Sequence, residues 1–207
     1  NGHSLPHANL PQSECDSVLA SGLGLLLSKD DAINVQPPKI KIKFSKDDML
    51  TVYTDGCCFK NGKRGAVGGY GIFFEGYPDL NVSEPLSGNQ HTNQRGELKA
   101  ILETLKIAAS DERLVKKRIH IMSDSEYSIN VITKWMSSWK SKGWTKRGGG
   151  KVANVDIISE LHSVMASSRE RLGRGKITFE HVKGHSNDPG NDMADSLAKE
   201  GALKIVS

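Results

Sequence analysis

The chain has 207 residues, with 28 Lys and Arg against 24 Asp and Glu and a formal net charge of +4. Apolar residues make up 37% and the mean hydropathy is −0.43, which suits a soluble globular protein, one domain with a tail or at most two small ones. Three cysteines, two of them the neighbours Cys57 and Cys58, make no disulfide framework and point to a reducing intracellular compartment. The longest early apolar run, Leu23 to Leu27, is too short to span a bilayer, so no membrane partner is expected.

Residues 1–46 read as a flexible N-terminal tail. They hold Pro6, Pro11, Pro37 and Pro38, a single aromatic (Phe44) and no sustained periodicity. Order is predicted from residue 47 to residue 207. Leu50 to Asp55 alternates as a strand does, and Gly56 is expected to end it. Two further strands are predicted over Gly69–Glu75 and Leu80–Leu86, parted by Gly76, Pro78 and Asp79. Leu98, Ile101, Leu102 and Leu105 then recur at helical spacing, which predicts an amphipathic helix over Glu97–Ala109.

A strand over Arg118–Ser123 follows, and Ile129, Ile132 and Met136 mark a second helix. Past Gly148, Gly149 and Gly150, a third helix carries Ile157, Ile158, Leu161 and Met165. Ile177–Val182 reads as a strand, and the last helix runs near Asn191–Leu203 with Met193, Leu197 and Ala198 turned inward. The order β-β-β-α-β-α-α-β-α predicts an α/β fold on a five-stranded mixed sheet, antiparallel over its first three strands and parallel beyond them.

Charge is unevenly spread. From Tyr127 to Val155 stand Lys134, Lys140, Lys142, Lys146, Arg147 and Lys151 with no Asp or Glu, leaving the rest of the chain slightly acidic. A basic stripe of this kind is the electrostatic footprint of a nucleic-acid binder.

Four acids fall where strands end and helices begin: Asp55, Glu97, Asp124 and Asp195. In α/β sheets ligands gather there. Singly, each also suits a turn, an N-cap or a helix-dipole role. Asp55, however, interrupts a hydrophobic strand where propensity disfavours it. Unpaired carboxylates beside a core are costly, and a bound divalent cation would relieve them. An all-oxygen donor set favours Mg²⁺ or Mn²⁺ over zinc.

These residues carry a family resemblance. Tyr53-Thr54-Asp55-Gly56-Cys57-Cys58, Thr92-Asn93-Gln94-Arg95-Gly96-Glu97, Ser123-Asp124-Ser125, Gly184-His185-Ser186 and Gly190-Asn191-Asp192-Met193-Ala194-Asp195 together resemble type 1 ribonuclease H. The likeness covers about Thr51 to Gly201 in the right order. It is nearer the cellular eukaryotic enzyme than the retroviral domain, because of the paired cysteines and the basic, Trp-bearing stretch.

The resemblance implies a ribonuclease H-like fold and hydrolysis of the RNA strand of RNA/DNA hybrids, leaving 5′-phosphate and 3′-hydroxyl ends. It implies two Mg²⁺ ions (Mn²⁺ also serving), about 4 Å apart as in other two-metal sites, held by Asp55, Glu97, Asp124 and Asp195. Asp195 rather than Asp192 matches the ligand position of the last motif. His185 matches a loop histidine that assists proton transfer or product release. Cys58, Asn61, Asn93 and Gln94 match contacts to the RNA strand, whose 2′-hydroxyls distinguish it from DNA. Trp135, Trp139, Thr92 and Asn154 match contacts to the DNA strand, with Trp144 the tryptophan expected in the core. Gln90 and His91 stand where the family has an arginine, which weakens the expected phosphate pocket.

A non-catalytic nucleic-acid-binding module and a reverse-transcriptase ribonuclease H domain are the alternatives. The small aromatic and basic hybrid-binding module that the family often carries is not expected in residues 1–46, and Asn1 in place of Met suggests lost upstream sequence. A monomer is expected, in nucleus or cytoplasm, with the mitochondrion left open.

Overall fold

The computed structural model describes residues 48–173, 176–184 and 187–204. The predicted tail, residues 1–46, and His185 lie outside the described residues.

Five strands form one mixed sheet in the order β3-β2-β1-β4-β5. They are β1 (Met49–Phe59), β2 (Val67–Phe74), β3 (Val82–Pro85), β4 (Arg118–Ser123) and β5 (Ile177–His181). β1 pairs antiparallel with β2, and β2 with β3. β4 runs parallel to both β1 and β5. The helices are α1 (Asn93–Ser110), α2 (Glu126–Asn130), α3 (Met136–Ser141), α4 (Val155–Leu172) and α5 (Pro189–Leu203). A π-helical turn, Val131–Trp135, joins α2 to α3. None of the described helices is long and apolar enough to cross a membrane.

Alternation along β1 and β2 assigns the two faces of the sheet. Gly56 and its cross-strand partner Tyr70 face α1. Gly69 and Gly71, one position to either side of Tyr70, face α5. A Cβ on Gly71 would stand 2.3 Å from the Ala194 carbonyl oxygen, and one on Gly69 2.2 Å from the Ala202 nitrogen. The glycines therefore let α5 lie directly on the backbone of β2. The core on the α1 side is built from Val52, Ile72, Phe74, Leu98, Ile101, Leu102, Leu105, Ile119, Ile121, Ile158 and Leu161, all at 3% exposure or less.

Three sequence expectations need correction. Gly56 does not end the first strand, which continues to Phe59. Its missing side chain serves the approach of α1, because a Cβ there would fall 2.2 Å from the Glu97 nitrogen. Met193 does not point inward but is 45% exposed. The inward face of α5 is, Asn191 apart, the small-residue row Gly190, Ala194, Ala198, Gly201 and Ala202, which fits against glycine backbone. The predicted strand over Leu80–Leu86 is also shorter, since Pro78–Leu80 forms a 3₁₀ turn.

Candidate active site and nucleic-acid interface

The parallel register sets two acids side by side. Thr54 of β1 pairs with Ser123 of β4, so the next residues, Asp55 inside β1 and Asp124 just past the end of β4, stand at the same level. Asp55 is 7% exposed, and its Oδ1 accepts the Gly56 N–H at 2.7 Å. Its carboxyl is pushed up to about 8, first by burial and then by the charge of Asp124, with Asp195 and Glu97 adding to it against the Gly56 hydrogen bond. These four acids therefore share one electrostatic site.

Glu97 is the fifth residue of α1 rather than its opening one. Thr92 caps the helix, its side chain accepting the Arg95 N–H at 3.2 Å, and the Gly96–Gly56 contact seats Glu97 against β1. Ser125 Oγ donates to Glu97 Oε2. Burial raises the Glu97 carboxyl to about 7, Asp124 adding to that rise and the Ser125 hydroxyl opposing it. Asp124 receives a hydrogen bond on its backbone oxygen from His181 Nε2 at 3.1 Å. Gly184 lies against its carboxylate, where a Cβ would stand 3.2 Å from Oδ2. Asp195 comes from α5 and pairs with Lys199 at 2.6 Å. Among the described residues, no three His, Cys, Asp or Glu side chains close into a metal cage by themselves. The acids form an open, mutually repelling group rather than a finished coordination shell.

The residues matched to RNA contact meet beside this group. Asn61 Oδ1 accepts the Asn93 N–H at 3.3 Å, which ties the β1–β2 turn to the start of α1. Asn93 and Gln94 are exposed. Cys58 is buried at 9% exposure, and its thiol lies 3.6 Å from the Phe59 carbonyl oxygen, so little of this side chain is presented outward.

The residues matched to DNA contact form a second cluster. Trp135 and Trp139 stack tilted at 5.6 Å between centroids, and Tyr127 lies 6.4 Å from Trp135. Trp135 is 38% exposed, whereas Trp139 and Trp144 pack against the core as partly buried side chains. Trp144 sets its ring edge-on to His162 at 6.1 Å. Asn154 adopts a left-handed φ of 57° at the start of α4 and makes no cap bond with its side chain. Instead its amide donates to the Tyr127 hydroxyl at 3.3 Å and accepts from Arg95 Nη1 at 3.4 Å.

Sequence reasoning missed several members of these clusters. Arg95 makes a bidentate pair with Asp156 at 2.9 and 2.6 Å and so bridges the starts of α1 and α4. Ser125 stood inside the Ser123-Asp124-Ser125 motif, but its role as the Glu97 partner needs the packing of α1 on β4 to be visible.

The sheet order, the adjacent acids on β1 and β4, and the acids brought in by a helix from either face define a ribonuclease H-like α/β protein. The family model described as RNase H matches residues 47–203. "Ribonuclease H" of Schizosaccharomyces pombe is 39% identical over 155 residues, covering 75% of this chain and 53% of its own length. "Ribonuclease H" of Polaromonas sp. is 36% identical over 161 residues, covering 76% of this chain and 91% of its own length. The crystal structure of LC9-RNase H1, a type 1 RNase H with the type 2 active-site motif, superposes with a TM-score of 0.57 at 24% identity. That match covers 75% of this chain and 72% of the other, and it speaks to the fold. The chain belongs to the ribonuclease H family, type 1. It spans about half the length of the eukaryotic relatives it matches.

Proposed function

We propose that residues 47–207 are a metal-dependent endoribonuclease domain that hydrolyses the RNA strand of RNA/DNA hybrids, leaving 5′-phosphate and 3′-hydroxyl ends. The observation that carries this reading is the Thr54–Ser123 register that sets Asp55 beside Asp124, with Glu97 brought in by α1 and Asp195 by α5, in a chain of this family. Burial first, and the neighbouring carboxylates after it, push Asp55 up to about 8 and Glu97 to about 7, a charge and desolvation cost that a hard divalent cation would relieve. The donor set is oxygen alone, which fits Mg²⁺, with Mn²⁺ as a substitute. Bound there, such cations supply Lewis acidity for water activation and for charge on the departing 3′-oxygen.

The chain's own groups do the rest. Asp55 and Glu97 must lose their protons before they can act as ligands. Ser125 fixes the carboxylate of Glu97, and the hydrogen bond from His181 to the Asp124 carbonyl steadies the end of β4. His185 serves as the proton carrier or product-release group. Asn61, Asn93 and Gln94 offer donors and acceptors to 2′-hydroxyls, with Cys58 beneath them. Trp135 and Trp139 offer ring faces to the sugars of the DNA strand, and Thr92 and Asn154 polar groups to its phosphates. The hybrid is the partner, the domain acts as a monomer, and the free thiols of Cys57 and Cys58 favour a reducing compartment, nucleus or cytoplasm.

The variant Asp124→Asn tests the reading. It should lose cleavage of a labelled hybrid while still binding it, and normal turnover by this variant would overturn the assignment.

A further inference from the structure

Asp55 and Asp195 reach the acidic group by different routes, one inside β1 and the other on α5. The height of α5 over the sheet therefore decides how far apart they stand. Tyr53 lies two residues before Asp55 on β1 and points to the same face. That is the face on which α5 rests, because Gly71, the cross-strand partner of Asp55, carries the Ala194 carbonyl.

α5 has two kinds of support on this face. Beneath Ala194 and Ala198 it is backbone on backbone: a Cβ on Gly71 would stand 2.3 Å from the Ala194 oxygen and 2.4 Å from the Ala198 nitrogen. Beneath Gly190, at the start of the helix, it is a side chain. A Cβ on Gly190 would stand 2.3, 2.4 and 2.5 Å from Cε2, Cζ and Cδ2 of Tyr53, so the Gly190 backbone lies directly on that ring.

Neither partner of this contact is loose. Tyr53 sits between Phe73 and Met122 across the sheet, and the Phe73 ring packs against its own, tilted at 6.2 Å between centroids. On the helix side, Asp188 Oδ1 accepts the Gly190 and Asn191 N–H groups at 2.9 and 3.2 Å, and Asn191 is 4% exposed. Close-packed interiors transmit a change in such a contact instead of absorbing it. Asp195 follows Gly190 by roughly one and a half turns of the same helix. A thinner or thicker spacer under Gly190 would tilt α5 on its Gly71 support and carry the Asp195 carboxylate away from its place opposite Asp55.

We propose that Tyr53 is a positioning residue for the metal site: its ring is the spacer that fixes the start of α5 over β1, and with it the gap between Asp55 and Asp195. Gly190 is the other half of the device, since a residue without a Cβ lets the helix settle on the ring. This rests on the reading of those acids as cation ligands and adds the contact that sets their spacing.

The test is calorimetric titration of Mn²⁺ into substrate-free protein, for the wild type, Tyr53→Phe, Tyr53→Val, Gly190→Ala and the double variant Tyr53→Val/Gly190→Ala. Tyr53→Phe keeps the ring and should bind Mn²⁺ as the wild type does. Tyr53→Val removes the spacer and Gly190→Ala thickens it, and each should weaken Mn²⁺ binding roughly ten-fold, the lower end for residues that orient metal ligands. In the double variant the new methyl group fills part of the space the ring vacates, so its affinity should lie closer to the wild type than that of either single variant. An unfolded fraction lowers the number of sites in the titration, whereas a displaced Asp195 lowers the affinity at the same number. Unchanged affinity in both single variants, losses that simply multiply in the double variant, or a Tyr53→Phe loss equal to that of Tyr53→Val overturns the proposal. Absence of Mn²⁺ binding by the wild type would instead strike the underlying reading.

Discussion

Lys199 Nζ stands 2.6 Å from Asp195 Oδ2, four residues away on α5. The acid that the last helix brings to the site thus already has a cation beside it. A divalent ion at Asp195 must work against that ammonium, and the pair is half-exposed, with side-chain exposures of 51% and 35%. Exposed pairs of this sort contribute about 0.2–1 kcal/mol. Lys199→Ala should therefore tighten Mn²⁺ binding by no more than roughly five-fold, as read by calorimetric titration of the metal without substrate. Weaker binding would show that Lys199 supports the metal site instead of opposing it.

The raised carboxyls of Asp55 and Glu97 predict a pH dependence of definite sign. Between their ordinary values and about 8 and about 7, the folded chain holds protons that the unfolded chain has released. Stability of the metal-free protein should accordingly fall as pH rises from about 4 towards 8, with the full penalty present above 8. Asp55→Asn should raise the melting temperature at pH 8.5, by about 2–4 °C for each kcal/mol recovered in a chain of this size, and change it little at pH 4. Differential scanning calorimetry with a chelator present checks both halves.

The same shifts couple metal to protons. With Asp55 pushed up to about 8 and Glu97 to about 7, metal binding near pH 7 should expel between one and two protons, most of the first from Asp55. Calorimetry in buffers of different ionisation enthalpy measures that number. Metal affinity should rise with pH through the range 7–8 and level off above it. Affinity independent of pH would mean that Asp55 is not a ligand.

Gly56 ties strand to helix at the point where the acids meet. A Cβ there would fall 2.2 Å from the Glu97 nitrogen and 2.5 Å from the Gly96 carbonyl carbon, and backbone atoms cannot step aside as a side-chain tip can. Gly56→Ala should cost about 3 kcal/mol or more, the upper range for overpacking, and should separate Asp55 from Glu97. Chemical denaturation gives the stability term. Loss of cleavage in the fraction that remains folded gives the geometric one.

Much of this was legible along the chain, and the exceptions share a cause. Arg118–Ser123 was readable to the residue because Ile119 and Ile121 alternate with polar neighbours in the strand manner. The four acids stood out in the sequence because they fall where strands end and helices begin. Gly56 and Met193 were misread by rules that treat glycine as punctuation and large apolar residues as core. In the folded chain α1 and α5 both lie on glycine-bearing backbone, where small residues pack best. The link from Arg95 to Asn154 and Asp156 spans 59 and 61 residues, and no local pattern announces a contact of that range.

Arg95 offers a further test of that link. A lysine in its place keeps the charge but not the planar fork that reaches Asp156 and Asn154 together. Arg95→Lys should raise KM for the hybrid roughly ten-fold, the loss of one charge-assisted hydrogen bond, with kcat little changed. A fall in kcat at constant KM would mean that Arg95 acts on the reacting group rather than on the position of Asn154.

The central claim is that the acidic group where Asp55 of β1 meets Asp124 at the end of β4 cuts RNA only when it is paired to DNA, and only with a divalent cation. Cleavage of sequence-matched RNA/DNA, RNA/RNA and DNA/DNA duplexes, each with Mg²⁺ and with a chelator, tests it most directly. The account predicts cutting of the RNA strand of the hybrid alone, with 5′-phosphate ends, and none under chelation. Comparable cutting of either homoduplex, or hybrid cleavage that persists without metal, would contradict it.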